Sequence, residues 1–440
     1  MLEFARVLLG LGLLALLLFA PGALLLNAVA ARAPYRATFS GRDEWLFTAL
    51  LISVLLISLV GFILAQLGFF SLWSLSLAVA LFAVMVALVS GSFSGSGLRG
   101  LSQLLKPPPR TPRREIDRRV VRLQLITLAL LIALAAALFS RPAEMLRGAL
   151  DSGSYINSGI ALARTGAIVQ RDILMRQLND DIGEGRELMQ GLNQDRYTLD
   201  RLRMPAFYVL DKKAALVVPQ HYSLFPVWIG LMYSLFGIWG ALYATPVLAL
   251  FAVLAVYYFA RRMLSHSAAL LALALIVLCP VTIWFARYPV SEDLSLLLAF
   301  SGFLAFARMI QLSAVSTPVQ QSDGKNEQPA PCNRAWSNLW AVIAGACFGL
   351  QSLTRPDFAL FLAPIPAYLA YWRLTRQWRP AYSAFLWTLG AFLALYAAHF
   401  FFFTFAYTSD LYYNVIQGAR RQWIPLLAAL YAGLALLVIL

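Results

Sequence analysis

Runs of about 17–25 apolar residues recur along almost the whole chain, and each is long enough to cross a bilayer as an α-helix. They fall near residues 5–30, 45–67, 69–91, 120–140, 242–260, 268–285, 290–310, 337–354, 357–373, 382–405 and 423–440. The expected fold is therefore an all-α integral membrane protein, a multi-span helical bundle of about 11 spans. Composition agrees: 60% of the residues are hydrophobic and 13% are charged, against about 25% charged in soluble chains. The net charge of +14 does not point to nucleic acid. Its arginines bracket apolar runs, as the bias of basic residues toward cytoplasmic loops requires. Cys279, Cys332 and Cys347 have neither metal nor redox spacing, so no disulfide or metal framework is indicated. The first apolar run is too long for a signal sequence and reads as a retained anchor.

Charge divides the chain into three parts. Residues 1–92 supply three N-terminal spans, the second and third joined by a short Gln66–Phe70 link. Residues 93–119 form a linker that is Gly/Ser-rich and then basic and Pro-rich, from Lys106 to Arg114. Such a piece is extended, solvated and expected in the cytoplasm. Residues 120–440 form the transmembrane core. With the linker inside, the 120–140 span delivers Arg141 to the outside, and residues 141–240 become a large extracytoplasmic loop.

The loop has readable local structure. Asp151–Arg164 reads as a short helix, with Asp151 or Ser152 able to cap its start and Gly166 its end. Residues 170–203 are polar and partly helical, and Phe207–Val218 reads as two short strands around a turn. The apolar run from Pro219 to Gly240 contains Pro226 and is taken as a second surface-lying or re-entrant helix. Counting 222–239 as a full span would move the basic clusters at Arg261/Arg262 and Arg373/Arg376/Arg379 outside, against the charge bias.

Charged residues left at the outer ends of spans are the candidates for chemistry. Asp151, just after a span, is either a helix cap or a general base within hydrogen-bond reach of an acceptor hydroxyl. Arg287 with Glu292, Arg355 with Asp357, and Arg420 with Arg421 run against the charge bias. A guanidinium fork there suits a bound phosphate, or it pairs with neighbouring carboxylates or snorkels to lipid phosphates. His221, the one histidine of the loop, could bind a metal or a sugar hydroxyl, or serve as a hydrogen-bonded structural residue. Tyr155, Tyr208, Tyr222, Trp228 and Trp284 fit an interfacial aromatic belt and could also stack on a sugar. There is no nucleotide-binding loop, so any synthesis would draw on an already activated, membrane-borne donor.

Several segments, in order, carry a resemblance. Asp151-Ser-Gly-Ser-Tyr-Ile-Asn157 followed by Leu162-Ala-Arg-Thr-Gly166 resembles the first outer loop of the GT-C class of membrane glycosyltransferases. The nearest likeness is to bacterial members of the protein O-mannosyltransferase and aminoarabinose transferase group. Val218-Pro-Gln-His-Tyr-Ser-Leu-Phe-Pro-Val-Trp228 is similar to their second juxtamembrane segment, and Trp284 to Glu292 and Leu353 to Asp357 match two further signatures. Together these cover about residues 120–420.

The resemblance implies a GT-C bundle with juxtamembrane helices in its first outer loop. It implies transfer of a sugar from a polyprenyl-phosphate carrier to a hydroxyl acceptor, on protein, lipid or glycan, with inversion at the outer face. Asp151 would be the base. Arg287, Arg355 and, less securely aligned, Arg420 would hold the donor phosphate. Tyr155, Asn157, His221, Tyr222, Glu292 and Asp357 would line the substrate site. No cofactor is called for, and a divalent metal, though compatible with such chemistry, is not indicated, because Ser152 and Gly153 stand where a second acid often follows. The protein would reside in a bacterial plasma membrane with its active loop outside. Three spans preceding the usual first span, and an end inside an apolar run at Leu440, depart from the pattern. The alternative reading is a multi-span transporter or lipid flippase, which would call for charged residues at mid-span and paired broken helices. A non-catalytic envelope scaffold would need no clustering of Asp and Arg at one end.

Overall fold

The computed structural model describes residues 2–33, 39, 41–89, 118–145, 151–180, 183–185, 187, 203–204, 207–315, 331–405, 407–409, 411, 428–429 and 432–433. The chain is an α-helical membrane protein. In chain order α1 (Leu2–Arg32), α2 (Arg42–Leu67), α3 (Leu72–Val89) and α4 (Arg118–Phe139) precede the loop, which holds α5 (Asp151–Thr165) and α6 (Ile173–Asp180). Then come α7 (Leu224–Met263), α8 (His266–Leu278), α9 (Pro280–Arg287), α10 (Glu292–Val315) and α11 (Pro331–Ser352). The short α12 (Phe358–Leu362) and α13 (Pro364–Leu374) lead to α14 (Pro380–His399), which continues as one π-helical turn, Phe400–Thr404.

Among the described residues seven helices are long and apolar enough to cross a membrane, or eight if one bent pair counts as a span. Four of the expected spans make the difference from about 11. The run 268–285 breaks at Cys279, and α8 and α9 meet at a 61° bend, because Pro280 cannot continue the helix before it. The run 337–354 is helical as α11 but carries Asn338 and Gln351 and falls short of the apolar character of the others. It runs between the two ends of the bundle, packed between α10 and α14. The run 357–373 is split at Pro364 into α12 and α13. The run 423–440 lies almost wholly outside the described residues, as do Arg420 and all but the end of the 93–119 linker.

The Pro219–Gly240 segment turns back on itself. Within α7, Gly237 has φ 69° and ψ −150°, a conformation outside any helix and one reserved for glycine. A Cβ added to Gly240 would lie 2.0 Å from the Met232 carbonyl oxygen. In an unbroken helix these residues are separated by about 12 Å along the axis, so the arm 224–236 and the arm 238–263 fold against each other. The break falls three residues before the Gly240 boundary read from sequence.

The loop elements form as expected. Phe207–Asp211 (β3) and Leu216–Pro219 (β4) make an antiparallel hairpin. Gln170–Arg171 (β1) and Arg203–Met204 (β2) extend it to a four-stranded sheet in the order β1-β4-β3-β2. Met175 of α6 packs on Val209, Ala215 and Val217 of this sheet.

One apolar core runs from α1 to α14, so the first three helices are built into the bundle. Gly22 sits against the α2 backbone, where an added Cβ would lie 1.8 Å from Ala49 O. Beside Pro21, the Gly22 amide donates to Ser53 Oγ at 3.0 Å. The α2–α3 link turns through Gly68 at φ 80°, and Phe69 N returns to Leu64 O at 2.9 Å, a left-handed C-terminal cap.

Contacts sort the loops to two ends of the bundle. One end pairs Arg261 with Asp43 and Arg308 with Glu44. It also joins Arg262 to Gln311, Trp336 Nε1 to Ala33 O at 2.8 Å and Arg379 to Ile310 O. The other end joins Phe70 N to Gly166 O at 2.9 Å and Ala143 N to Arg287 O at 2.7 Å, and it holds Tyr155, Glu292 and Arg355. This grouping follows the alternation of spans deduced from the basic clusters.

Candidate functional site

The site begins with α5. Its first residue is acidic, which suits the positive end of a helix dipole, and Gly166 at φ 78° closes it. The helix buries Ser152, Tyr155, Ile156, Gly159 and Leu162 against the first arm of α7 and leaves Asp151 exposed. Glycine makes this approach close. A Cβ on Gly159 would lie 2.5 Å from Ile229 Cβ, and one on Gly230 would lie 3.1 Å from Gly159 O. The two juxtamembrane segments are thus locked together at small residues, as tightly packed membrane helices are.

This crossing brings two expected site residues together. His221 Nε2 lies 3.4 Å from Asp151 Oδ1, with His221 7% and Asp151 71% exposed. The ring is within ion-pair distance but is not aligned for a hydrogen bond, and neither ring nitrogen has a hydrogen-bond partner among the described residues. Tyr155 stacks on the imidazole, with centroids 4.6 Å apart at 23°, and Tyr407 meets it edge-on at 5.3 Å. The Tyr155 hydroxyl is 3.1 Å from Ser291 Oγ. Burial, reinforced by Tyr407 and Glu292, pushes the Tyr155 phenol well above its ordinary value, against the pull of Ser291 and Arg355. Tyr222 is 3.0 Å from Thr408 Oγ1 and 3.4 Å from the Tyr396 hydroxyl. Asn157 is half-buried on α5.

Arg355 is braced on two sides. It donates to Glu292 at 2.5 Å and grips Asp357 through two bonds of 2.9 and 3.2 Å. Burial works against its charge, but the hydrogen bonds and charges of Asp357 and Glu292 outweigh it and hold the guanidinium above its ordinary value. Of the three readings left open by the sequence, pairing with neighbours describes Arg355. Arg287 stands elsewhere. Its Nε donates to Leu138 O at 2.6 Å at the end of α4, satisfying a carbonyl that the helix leaves unpaired. It lines a cleft of about 440 Å³ with Arg141, Pro280, Ile283, Trp284 and Tyr288, and the rings of Trp284 and Tyr288 stack at 5.8 Å. Neither Asp151 nor Arg355 lines that cleft.

The site therefore has two parts. Asp151, Tyr155, His221, Glu292, Arg355 and Asp357 form one connected group, while Arg287 belongs to an apolar cleft beside it in the chain. Sequence reasoning did not assign Arg141, which shares that cleft, nor Asp293. Asp293 is buried with Oδ2 unpartnered, as is Glu292 Oε2 beside it. The signal available for Asp293 was an acid at the very start of an apolar run. Among the described residues no group of three or more His, Cys, Asp or Glu side chains is placed to hold a metal. Comparison of the chain with models of protein families, with curated proteins and with solved structures finds no match.

Chemically, the group offers an exposed carboxylate, a buried imidazole beside it, aromatic faces and a fixed cation flanked by acids. The cleft offers two guanidinium groups against apolar and aromatic walls.

Proposed function

We propose that this chain is a GT-C type glycosyltransferase. It moves a sugar from a polyprenyl-phosphate donor to a hydroxyl acceptor at the outer face of a bacterial plasma membrane. The observation that carries the reading is the pairing of exposed Asp151, at the start of α5, with His221, just before α7, where the two juxtamembrane segments interlock. An inverting transfer needs one base behind the acceptor hydroxyl and charge stabilisation at the departing phosphate. Asp151 is the base: the acceptor O–H proton passes to its carboxylate as the acceptor oxygen attacks the anomeric carbon. The bond from that carbon to the phosphate oxygen breaks, leaving its electron pair on the phosphate.

The sites for the phosphate differ from those the resemblance implies. Arg355 is already neutralised by Glu292 and Asp357, so its role is to hold those acids in place. Arg287 with Arg141 suits a lipid phosphate better, because both line a cleft whose other walls are apolar. The end bearing Arg261, Arg308 and Arg379 is the cytoplasmic one under the charge bias, which puts Asp151 outside. A transporter reading draws on the buried Glu44–Arg308 pair, an intramembrane charge of the kind carriers use. That pair is mutually compensated and ties α2 to α10, which is a structural task.

The test is transfer from a panel of polyprenyl-phosphate sugars by purified protein in liposomes. Asp151→Asn is expected to lower transfer by at least about a hundredfold while the protein still inserts and folds. Arg287→Ala is expected to raise the donor KM. Full activity of Asp151→Asn removes Asp151 as the base.

A further inference from the structure

We infer that His221 is the proton partner of Asp151: it takes from the carboxyl the proton that Asp151 removes from the acceptor. The inference rests on the transferase reading of the same site and adds a residue that acts through the base rather than on substrate, a positioning residue in that sense.

Three observations carry it. His221 Nε2 is 3.4 Å from Asp151 Oδ1, one small side-chain rotation from hydrogen-bond distance. His221 is 7% exposed, and neither ring nitrogen has a hydrogen-bond partner among the described residues. A buried polar group in that condition costs about 1–3 kcal/mol, which an imidazole with a purely structural role avoids by bonding a neighbour. The ring is also held against the wrong motion. Tyr155 stacks on one face and Tyr407 closes an edge, and β4 ends at Pro219 just before it. The backbone beneath is fixed where Gly159 meets Ile229. Asp151, in contrast, is 71% exposed.

The proton balance is simple. The acceptor O–H breaks as its oxygen bonds to the sugar, and the proton moves to Asp151. In its neutral form with the proton on Nδ1, His221 receives that proton on Nε2. The products of this step are a regenerated carboxylate and an imidazolium, oppositely charged and adjacent, so the proton does not return to the new glycosidic oxygen. It leaves to solvent through exposed Asp151 after product departs. Among the described residues, few charged groups face His221. Asp151 comes from α5, and Glu292 and Arg355 act through Tyr155, where they already compensate each other. Tyr155 and Tyr407 face it as phenols.

Two measurements test this. The chain has three histidines, His221, His266 and His399, so imidazole NMR of nitrogen-labelled protein in nanodiscs resolves each. Asp151→Asn, a change at an exposed residue, is expected to move the His221 ring-nitrogen resonances and to leave those of His266 and His399 in place. Unmoved His221 resonances overturn the pairing. The second measurement is the pH profile of transfer from a short-chain polyprenyl-phosphate hexose. Wild-type kcat is expected to fall toward acid pH, since a charged ring accepts no proton. In His221→Gln that limb disappears and kcat falls by about tenfold or more, with KM changed less than about twofold. A His221→Gln enzyme that keeps the wild-type limb overturns the inference. Absence of transfer by wild type from every donor defeats the transferase reading instead, and the NMR result still decides whether Asp151 and His221 are coupled.

Discussion

Replacing Gly159 by alanine tests whether the crossing of α5 with the first arm of α7 sets the site. The added Cβ would stand 2.5 Å from both Cβ and Cγ2 of Ile229 and 3.0 Å from Pro226 O. Carbon atoms in contact settle at about 3.5–4.0 Å, so the segments must part by about 1 Å. Because the clash includes the Ile229 Cβ, no rotation of that side chain relieves it, and Ile229→Ala in the same chain restores only part of the loss. Forcing such a shift in a packed region costs about 1–3 kcal/mol. Asp151 lies two turns before Gly159 on α5, and His221 lies just before the arm that carries Ile229, so the shift falls directly on their 3.4 Å separation. A displacement of that size at a reacting group lowers rate by up to about a hundredfold. Thermal unfolding in detergent and transfer kinetics on the same preparation read both effects: a lower unfolding midpoint and a lower kcat. An alanine variant with unchanged midpoint and unchanged kcat refutes the claim that this glycine contact positions the pair.

Two further outcomes follow from the bundle itself. Glu44→Gln leaves the Arg308 guanidinium, 2% exposed, without its counter-charge and is expected to destabilise by about 3–5 kcal/mol. In the same unfolding assay, Glu44→Leu with Arg308→Met recovers most of it. Gly237→Ala meets no neighbour within 4 Å, so its cost is backbone strain alone, about 1–3 kcal/mol for φ 69° and ψ −150°. A Gly237→Ala protein as stable as wild type would show that the reversal in α7 is not obligatory.

What the sequence made legible was whatever depends on near neighbours. The α5 helix, its Gly166 terminus and the β3–β4 hairpin follow from local spacing and turn residues, and the structure places each where the spacing puts it. The sorting of loops to two ends was also legible, because basic residues count toward topology wherever they lie in space. Contacts between distant segments were not. Spacing alone left Arg355 between phosphate binding and local pairing, and its second partner, Glu292, is 63 residues away. Glu44 and Arg308 are 264 residues apart, and nothing in sequence singles out either as the other's partner. The kink at Gly237 was expected nearby, yet no local signal separates Gly237 from Gly240. Only the contact of Gly240 with Met232 shows where the chain reverses.

Both ends of the bundle pair acids with arginines, Arg355 with Glu292 and Asp357 at the end of Asp151, and they differ in the acid oxygens left over. At the end of Asp43 and Glu44, acids meet arginines: Asp43 with Arg261, Glu44 with Arg308. An intramembrane charge so compensated holds helices together. At the other end lie the only buried carboxylate oxygens without a hydrogen-bond partner among the described residues, Glu292 Oε2 and Asp293 Oδ2. Beside them in the sequence is Ser291, bonded to Tyr155, and stacked on Tyr155 is His221 with both nitrogens unpartnered. Leaving such atoms unpaired costs about 1–3 kcal/mol each, and native proteins concentrate that cost where a ligand or ordered water completes the set. Packing alone would have favoured apolar side chains at these positions. They lie on the same end as the exposed Asp151, on elements pinned by close glycine contacts, where the proposed site would use them.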